Sequence, residues 1–325
     1  MILDAYGRAL KDLRVSLTDR CNFRCPYCMP AHVYGNRYNF LPKPQILTYE
    51  EIDRIVRVFV RSGVRKIRLT GGEPLVRPDV HKLVASLSSI DGIDDLTLTT
   101  NGYFLEEQAY LLKSAGLNRV TVSLDSLDPE ISRVMNGREL SPSRVLNGID
   151  AAHAVGLAPI KINCVVIRGI NDEHVIDLVR YFKGTPHIIR FIEYMDVGNL
   201  NGWNRNQVVP SDELIGKINK IFPIEPVGAN YDGEVVTRYR YSDNSGELGF
   251  ISSVTQPFCG ACTRARLSPE GELITCLFAN RGVDLKKPLR DGASDEEIEQ
   301  IVNSIWNRRT DRYSELRGSS ELVGS

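Results

Sequence analysis

The sequence has no long hydrophobic run and almost no net charge. No apolar segment reaches the length of about 20 residues that a transmembrane helix requires, so we expect no membrane span. The 40 Lys and Arg residues nearly balance the 41 Asp and Glu residues, which leaves a formal net charge of −1. Such a balance provides no general basic surface for a nucleic acid or an anionic membrane. Any anionic ligand must therefore be bound by a local group of cations.

The sequence also lacks a recognisable targeting segment. Residues 1–13 show neither the basic-then-apolar order of a signal peptide nor the acid-poor, Arg-rich composition of a transit peptide. We therefore expect the protein to be cytoplasmic. Because the cytosol is reducing, the seven cysteines are expected to hold metal ions or clusters rather than to form disulfides.

Strand-like and helix-like segments alternate up to about residue 200. The six predicted strands cover residues 13–18, 65–70, 95–100, 118–125, 160–167 and 187–195. Amphipathic helical stretches lie between them, and the first of these opens with a capping box at Thr48 and Glu51. This alternation predicts an α/β protein with a parallel sheet, here a partial (βα)6 barrel of the TIM type.

The pattern changes after residue 200. A polar loop, a helix, strands around a turn at residues 243–247 and a final helix follow. We expect residues 1–200 to form the barrel and residues 201–310 to form an α+β extension that covers its open side. Residues 311–325 are rich in Ser and Gly and are expected to be a flexible tail.

Polar side chains share one face of each predicted strand, because successive side chains point to opposite faces. The apolar faces must pack against the helices, so the polar faces line the barrel interior. This inner set includes Arg14, Arg68, Thr99, Ser123, Lys161 and Asn163. A dry interior of unpaired polar groups would be costly, which predicts a large polar ligand inside the barrel. The alternative is a sheet with one solvated face, although parallel sheets are usually covered on both faces.

Three cysteines, Cys21, Cys25 and Cys28, follow the first predicted strand, at the end of a barrel where catalytic residues lie. Thiolates select zinc, copper(I) or iron–sulfur clusters. A structural zinc ion needs four ligands, and His32 is the candidate for the fourth. Three thiolates on a four-iron cluster would instead leave one iron open to a small molecule.

A second group of three cysteines consists of Cys259, Cys262 and Cys276. Zinc with a remote fourth ligand and a second open cluster are again the two alternatives. Between these cysteines, Arg264 and Arg266 share one face of a short strand. Two guanidinium groups on one face form a fork for phosphate oxygens, although a solvated strand edge could carry the same pair.

The motifs CNFRCPYC at residues 21–28 and GGEP at residues 71–74, each placed after a predicted strand, resemble the radical S-adenosylmethionine (SAM) superfamily. With VSLDS at residues 122–126 and CGACTRARL at residues 259–267, they resemble one of its families more closely. That family is the GTP 3′,8-cyclases, the molybdenum cofactor biosynthesis A proteins, and the resemblance extends over nearly the whole chain.

The resemblance implies two [4Fe–4S] clusters and SAM as cofactors. Cys21, Cys25 and Cys28 would bind the first cluster, whose open iron is chelated by SAM. Cys259, Cys262 and Cys276 would bind the second, whose open iron meets the guanine base of GTP. The SAM contacts implied are Tyr27, Gly72, Ser123 and Met195, with Gly72 allowing the main chain to approach the methionine.

The resemblance also implies the substrate contacts and the reaction. The residues implied for GTP are Arg14, Arg68, Thr99, Lys161, Arg264, Ala265 and Arg266. The candidate catalytic residues are Cys21, Cys25, Cys28, Arg264 and Arg266. Homolytic cleavage of SAM gives a radical that removes the ribose C3′ hydrogen, and the carbon radical then closes on guanine C8. The product is (8S)-3′,8-cyclo-7,8-dihydroguanosine 5′-triphosphate, the first intermediate of molybdenum cofactor biosynthesis.

The partners expected on this basis are GTP, an external electron donor and a downstream enzyme that forms the cyclic pyranopterin. A homodimer is compatible with the sequence. Family members commonly end in paired glycines, and this sequence ends about ten to fifteen residues short of that pattern. Two other functions stay open: another radical SAM enzyme with an auxiliary cluster, such as a peptide-modifying maturase, and a non-catalytic zinc-binding scaffold.

Overall fold

A computed structural model of the protein describes residues 2–197, 201–231, 233–279 and 281–316. The N-terminal part contains β1 (Asp12–Ser16), α1 (Tyr49–Arg61), β2 (Lys66–Thr70), α2 (Val80–Ser88), β3 (Asp95–Thr100), α3 (Leu105–Ser114), β4 (Arg119–Ser123), α4 (Pro129–Asn136), α5 (Pro142–Ala154), β5 (Lys161–Val166), α6 (Val175–Phe182) and β6 (Ile188–Glu193). Each of the six predicted strands is therefore present, with bounds that differ by no more than a few residues.

The C-terminal part adds six strands and four helices among the described residues. They are α7 (Ser211–Asn219), β7 (Ile224–Val227), β8 (Thr237–Tyr241), β9 (Glu247–Ile251), β10 (Arg264–Leu267), β11 (Glu272–Ile274), β12 (Val283–Asp284), α8 (Lys286–Arg290), α9 (Asp295–Asn307) and α10 (Tyr313–Leu316). Across the described ranges, none of the helices is both long enough and apolar enough to span a membrane.

All twelve strands belong to one sheet, in the order β12-β11-β10-β1-β2-β3-β4-β5-β6-β9-β8-β7. The strands from β10 through β1 to β6 and on to β9 pair in parallel. The pairs β11–β12 and β7–β8 extend the two edges in antiparallel fashion. The predicted α/β fold with a partial TIM-type barrel is confirmed. The C-terminal segment contributes two further parallel strands, β9 and β10, which the sequence pattern did not assign to the barrel.

The helices pack on the outer face of this sheet because their apolar residues recur at helical spacing. Helix α1 begins with the predicted capping box, in which Thr48 accepts a hydrogen bond from the Glu51 main chain and Glu51 accepts one from Thr48. Its residues Ile52, Ile55 and Phe59 are fully buried or nearly so. They join the main core with the outward side chains of the strands, such as Leu13 and Val15.

The inner face of the sheet surrounds a cavity of about 270 Å³. Every parallel strand contributes to its wall, through Arg264 and Arg266 (β10), Arg14 (β1), Arg68 (β2), Thr99 (β3), Arg119 (β4), Lys161 and Asn163 (β5), Arg190 and Ile192 (β6) and Ile251 (β9). The alternation in the sequence therefore separated the two faces correctly. The polar face encloses a space instead of meeting a second layer.

Residues 311–316 belong to the segment for which a flexible tail was predicted. In the structure they include α10, and the Tyr313 hydroxyl donates a hydrogen bond to Asp196 at 2.6 Å. Glu315 accepts a hydrogen bond from the Gly260 main chain at 2.9 Å. This part of the segment is thus attached to the second cysteine loop, while residues 317–325 lie outside the described residues.

Candidate active site

The first cysteine group lies in a loop that follows β1 and lines a cavity of about 160 Å³. The loop after β2 holds it in place through main-chain hydrogen bonds. The Gly72 amide donates to the Thr18 carbonyl at 2.7 Å, and the Glu73 amide donates to the Arg20 carbonyl at 2.8 Å. The GGEP motif therefore forms main-chain hydrogen bonds to the segment that directly precedes CNFRCPYC, and these bonds position the cysteine loop.

Gly72 is required at this contact for a steric reason. A Cβ atom placed on Gly72 would lie 2.2 Å from the carbonyl oxygen of Arg20, which is main chain and cannot move alone. The expectation from the sequence was that the missing side chain makes room for a ligand. The structure gives this glycine a second reason, which is the close packing of the two loops.

We expect Gly72→Ala to disturb the first cysteine group. The added methyl group must separate the loop at residues 71–74 from the segment before Cys21, at a cost of about 1–3 kcal/mol in unfolding free energy. Iron bound at the first group should fall, while the second group stays intact. Gly216→Ala is the matched control, because Gly216 lies in α7 and a methyl group added there would have no neighbouring atom within 4 Å. Metal analysis and thermal unfolding compare the two, and full iron content in Gly72→Ala would contradict the steric argument.

Glu73 joins the loop after β2 to the loop after β3. Its buried carboxylate accepts hydrogen bonds from the Thr100 hydroxyl at 2.7 Å, the Asn101 amide at 2.7 Å and the Leu75 amide at 3.0 Å. Burial raises the pKa of Glu73 to about 7 against the opposing effect of these donors. Asn101 in turn donates to the side chain of Asn22 at 2.8 Å. The cysteine loop is thus fixed from β2 and β3 together.

Three of the four residues implied for SAM line the first cavity. These are Tyr27, Gly72 and Ser123, whereas Met195 lines the second cavity. The Tyr27 hydroxyl donates a hydrogen bond to Asp125 at 2.7 Å, and Asp125 also accepts one from the Val165 amide at 2.8 Å. The tyrosine therefore has a structural partner as well as a place in the cavity wall.

The second cysteine group lies at the other end of β1, on the loop before β10 and in the segment after β11. Cys259, Cys262 and Cys276 all line the larger cavity. Thr70 and Thr99 line both cavities, so the two spaces adjoin inside the barrel. The structure thus brings both cysteine groups, far apart in sequence, to two neighbouring cavities inside one barrel.

The larger cavity is strongly cationic. Nine cationic and three acidic side chains line it among the described residues, the acidic ones being Asp12, Glu234 and Asp311. Those cationic residues are Arg14, Lys66, Arg68, Arg119, Lys161, Arg190, Arg264, Arg266 and Arg309. Such an excess of half-buried positive charge is unfavourable unless an anion neutralises it.

Burial and mutual repulsion lower the pKa values of six of these cations, namely Arg14, Lys66, Arg68, Lys161, Arg190 and Arg266. Burial, reinforced by the charges of Arg266, Arg264 and Arg68, lowers the pKa of Arg14 well below its usual value. Burial followed by repulsion from Arg264 brings the pKa of Arg266 to about 10. Burial and neighbouring arginines bring the pKa of Arg190 to about 9. The site is therefore poised to gain stability from an anionic ligand.

Six of the nine cations form no ion pair within the described ranges of the chain, namely Arg14, Arg68, Lys161, Arg190, Arg264 and Arg266. Arg68 instead donates to the Thr99 hydroxyl at 2.9 Å. Arg190 donates to the Asn163 side chain at 2.7 Å, and its buried Nε has no hydrogen-bond partner among the described residues. These donors are available to phosphate oxygens.

Sequence reasoning placed Arg14, Arg68, Thr99, Lys161, Arg264 and Arg266 in the candidate substrate site, and all six line the larger cavity. Ala265 does not line it, because its side chain is fully buried on the opposite face of β10. Only the main chain of Ala265 is left for the predicted contact. Sequence reasoning placed Lys66 on the inner face but left it out of the substrate set, and it missed Arg119, Arg190 and Arg309. For Lys66 and Arg119 the strand alternation carried a usable signal, whereas Arg309 follows a helix.

The thiols of the two groups differ in their electrostatic surroundings. Burial alone would raise the pKa of Cys262, but the charges of Arg264 and Arg309 more than offset it and bring the pKa to about 7. Burial raises the pKa of Cys21 to about 12. Burial also raises the pKa values of Cys25 and Cys276. Metal binding would have to deprotonate these thiols.

The donor sets fit clusters better than single ions. Within the described residues, no three His, Cys, Asp or Glu side chains lie close enough together to hold one metal ion. His32, the candidate fourth zinc ligand, is exposed. The thiolates of a four-iron cluster bind different irons and so stand farther apart than the ligands of one ion. Cys164, the seventh cysteine, is buried on the helix-facing side of β5 and lies apart from both groups.

Two family models together cover most of the chain. The Radical SAM superfamily model matches residues 15–182, and the Molybdenum Cofactor Synthesis C model matches residues 187–315. Among solved structures, SuiB of Streptococcus suis bound to S-adenosylmethionine is similar, with a TM-score of 0.61 and 17% identity, and the match covers 96% of this chain and 68% of that chain. Methylornithine synthase (PylB) is similar with a TM-score of 0.55 and 15% identity, covering 95% of this chain and 86% of that one. At these identities the likeness shows the fold alone.

Curated relatives are similar over nearly their full length. The GTP 3′,8-cyclase of Acidothermus cellulolyticus is 52% identical, and the match covers 97% of this chain and 88% of the relative. The GTP 3′,8-cyclase of Xanthomonas axonopodis pv. citri is 49% identical, with 97% and 94% covered. That of Staphylococcus aureus is 48% identical, with 99% and 95% covered. The chain therefore belongs to the GTP 3′,8-cyclase family of the radical SAM superfamily.

Proposed function

We propose that the protein cyclises GTP between ribose C3′ and guanine C8, the first step of molybdenum cofactor biosynthesis. The observation that carries this proposal is the pair of adjoining cavities, one lined by each cysteine group, whose walls share Thr70 and Thr99. A nucleotide that lies along this interior can present its ribose to one group and its base to the other. Family membership of the chain supports the same assignment.

The first cysteine group would hold a [4Fe–4S] cluster through Cys21, Cys25 and Cys28, with SAM beside Tyr27, Gly72 and Ser123. When bound, cluster and SAM supply the one-electron chemistry that removes a hydrogen atom from the substrate ribose. Glu73 and Asn101 keep the cysteine loop in place, so that SAM and substrate meet in a fixed orientation. An external electron donor is needed as a partner.

The second group would hold another [4Fe–4S] cluster through Cys259, Cys262 and Cys276, and this cluster would supply a binding point for the guanine base. Among the described residues, no fourth cysteine lines the larger cavity. One iron of the cluster would therefore be left without a protein thiolate and could bind the base. Holding the base at this point and the ribose near SAM would fix the distance between C3′ and C8.

The cationic residues of the larger cavity would hold the triphosphate. Arg14, Arg264 and Arg266 lie on the neighbouring strands β1 and β10, where Arg14 is paired with Arg266 and Asp12 with Arg264 in register. Arg68 on β2 is in register with Arg14. These guanidinium groups thus form a continuous row across three strands, which suits the successive oxygens of a phosphate chain.

Lys161 is expected to make GTP binding depend on pH. Burial, followed by the charges of Arg119 and Arg190, lowers the pKa of its ammonium group to about 8 in the ligand-free protein. A triphosphate favours the protonated form, so the affinity is complete below that pKa and declines as the pH rises through it, by up to about tenfold per pH unit. Anaerobic calorimetry between about pH 7 and pH 10 measures this decline. Lys161→Arg stays charged and should remove the decline near pH 8, leaving the decline near pH 9 to which Arg190 contributes. A profile that is flat near pH 8 in the unaltered protein would contradict the assignment.

Turnover tests the proposed function. The protein, reconstituted anaerobically with iron and sulfide, is incubated with dithionite, SAM and each nucleoside triphosphate in turn. Among the nucleoside triphosphates, we expect only GTP to give a cyclised product, together with 5′-deoxyadenosine and methionine. A downstream enzyme would convert the cyclised nucleotide to the cyclic pyranopterin. Turnover of a peptide but not of GTP would favour a peptide-modifying maturase. A colourless protein with zinc and no iron would favour a scaffold.

A further inference from the structure

A buried ion cluster of Asp4, Arg8 and Arg309 lies behind the second cysteine loop, and the partly exposed Asp311 also pairs with Arg309 at 3.2 Å. The side chain of Asp4 is 0% exposed, that of Arg8 4% and that of Arg309 2%. Asp4 Oδ2 accepts from Arg8 Nε at 2.6 Å and from Arg309 Nη1 at 3.2 Å. Neither Asp4 nor Arg8 lines either cavity. Burying three charged side chains has a large desolvation cost, which suggests a role for this ion cluster beyond stability.

Both arginines extend from this cluster to the cysteine loop. Arg309 donates to the Cys262 carbonyl at 2.8 Å and to the Cys262 sulfur at 3.3 Å. Arg8 donates to the Cys259 carbonyl at 2.7 Å. Two arginines that share the Asp4 carboxylate therefore hold the second cysteine loop. Together they bind the main chain of Cys259 and Cys262 and the thiol of Cys262.

The ion cluster of Asp4, Arg8 and Arg309 joins the N-terminal and C-terminal ends of the described chain. The Trp306 ring, almost fully buried, donates from Nε1 to the Arg8 carbonyl at 3.0 Å. The Arg309 guanidinium lies 4.6 Å from the centre of that ring. Asp4 Oδ1 accepts from the Arg8 amide at 2.9 Å, which closes the N-terminal turn on itself. Each guanidinium is therefore fixed in direction, which a surface arginine would not be.

We propose that Arg309 is a positioning residue for the second iron–sulfur cluster, held in orientation by Asp4 and Arg8, and that it sets the reduction potential of that cluster. The inference rests on the proposed function, because it needs a cluster at Cys259, Cys262 and Cys276. Hydrogen bonds to ligating sulfur and nearby charge are the main means by which a protein tunes such a potential. A cationic donor on Cys262 stabilises the reduced, more negative state, so it raises the potential.

The test compares Arg309→Gln and Arg309→Lys with Arg308→Gln. Arg308 is the neighbouring arginine, but it is exposed. It lies at the C-terminal end of α9 and donates hydrogen bonds to Ser304 of the same helix. The potential is measured by anaerobic redox titration with EPR detection, in full-length protein whose first three cysteines are replaced by serine, so that the second cluster is the sole signal. Retention of iron against a chelator is measured in the same samples and in the protein with both cysteine groups intact.

In Arg309→Gln we expect the potential to move to more negative values and iron to be held about 10- to 100-fold less well at the second group. Arg309→Lys keeps the charge without the planar fork, so its shift should be smaller. Arg308→Gln should match the unaltered protein. In the intact background, the first cluster should keep its iron and its affinity for SAM in all three variants.

Three results would overturn the inference. An unshifted potential and normal iron retention in Arg309→Gln would show that the contact to Cys262 has no effect on the cluster. Equal loss of iron from both cysteine groups would show a general structural role. An unaltered protein that holds iron at the first group alone would contradict the second cluster in the proposed function itself, and so differs from the other two.

Discussion

Replacing Cys259, Cys262 and Cys276 together with serine is expected to reduce GTP cyclisation by roughly 10³-fold or more, since the guanine base loses its anchor. Iron should fall from about eight to about four atoms per chain, because the proposed ligands of the first cluster lie on another loop. Reductive cleavage of SAM should continue at the first cluster, now without productive use of the radical. Iron analysis and separate assays of 5′-deoxyadenosine and cyclised product measure these effects.

The seventh cysteine offers the matched control for this experiment. Cys164 is fully buried within the main core, and its thiol donates to the Asp125 carbonyl at 3.6 Å. Cys164→Ala should keep both clusters and cyclise GTP. Eight iron atoms in the triple serine variant, or an undiminished rate of cyclisation, would contradict the role given to the second group.

Arg14→Met is expected to have two large effects of opposite sign. Arg14 is a half-buried cation repelled by Arg266, Arg264 and Arg68, so its removal should raise the unfolding free energy by about 1–2 kcal/mol. Toward GTP, the loss of one central guanidinium from the cavity should weaken binding by about 2–5 kcal/mol, which is about 30-fold to 5,000-fold. A variant that is more stable yet binds less well is the signature of a site organised for an anion.

Thermal unfolding with and without GTP shows both effects of Arg14→Met, because a ligand that binds the folded state raises the melting temperature. Arg240→Met is the control, since Arg240 is a strand arginine whose ion pair with Glu225 is exposed. It should change stability by less than about 0.5 kcal/mol and leave GTP binding intact. A destabilised Arg14→Met with undiminished affinity for GTP would contradict the electrostatic account of the cavity.

The inner wall of the barrel could be predicted from sequence because its signal is local. Alternation along each strand placed Arg14, Arg68 and Lys161 on one face, and the curved sheet brings them together. Arg190 on β6 also points to the inner face. The apolar Ile192 lies on the inner face as well, so β6 shows no clear alternation of polar and apolar residues. The alternation of side chains along a strand is set by backbone geometry alone, so it survives without knowledge of the fold.

Other features depend on contacts between distant segments and could not be predicted. The pairing of β10 with β1 joins residues more than two hundred positions apart, so nothing local indicates which sheet edge β10 extends. The contact of Arg309 with Cys262 requires the end of α9 to return to the loop before β10. Gly72 was expected beside a ligand, and only the tertiary structure reveals its contact with Arg20. The roles of Tyr27, Ser123 and Met195 toward SAM stay predictions.

The central claim is that the adjoining cavities hold SAM and GTP with the ribose C3′ of GTP next to the SAM 5′ carbon. The most direct measurement uses GTP carrying deuterium at C3′, incubated with the reduced, reconstituted protein and unlabelled SAM. The account predicts that the deuterium appears in 5′-deoxyadenosine and is absent from the cyclised product. Unlabelled 5′-deoxyadenosine, with deuterium kept on the nucleotide, would contradict it.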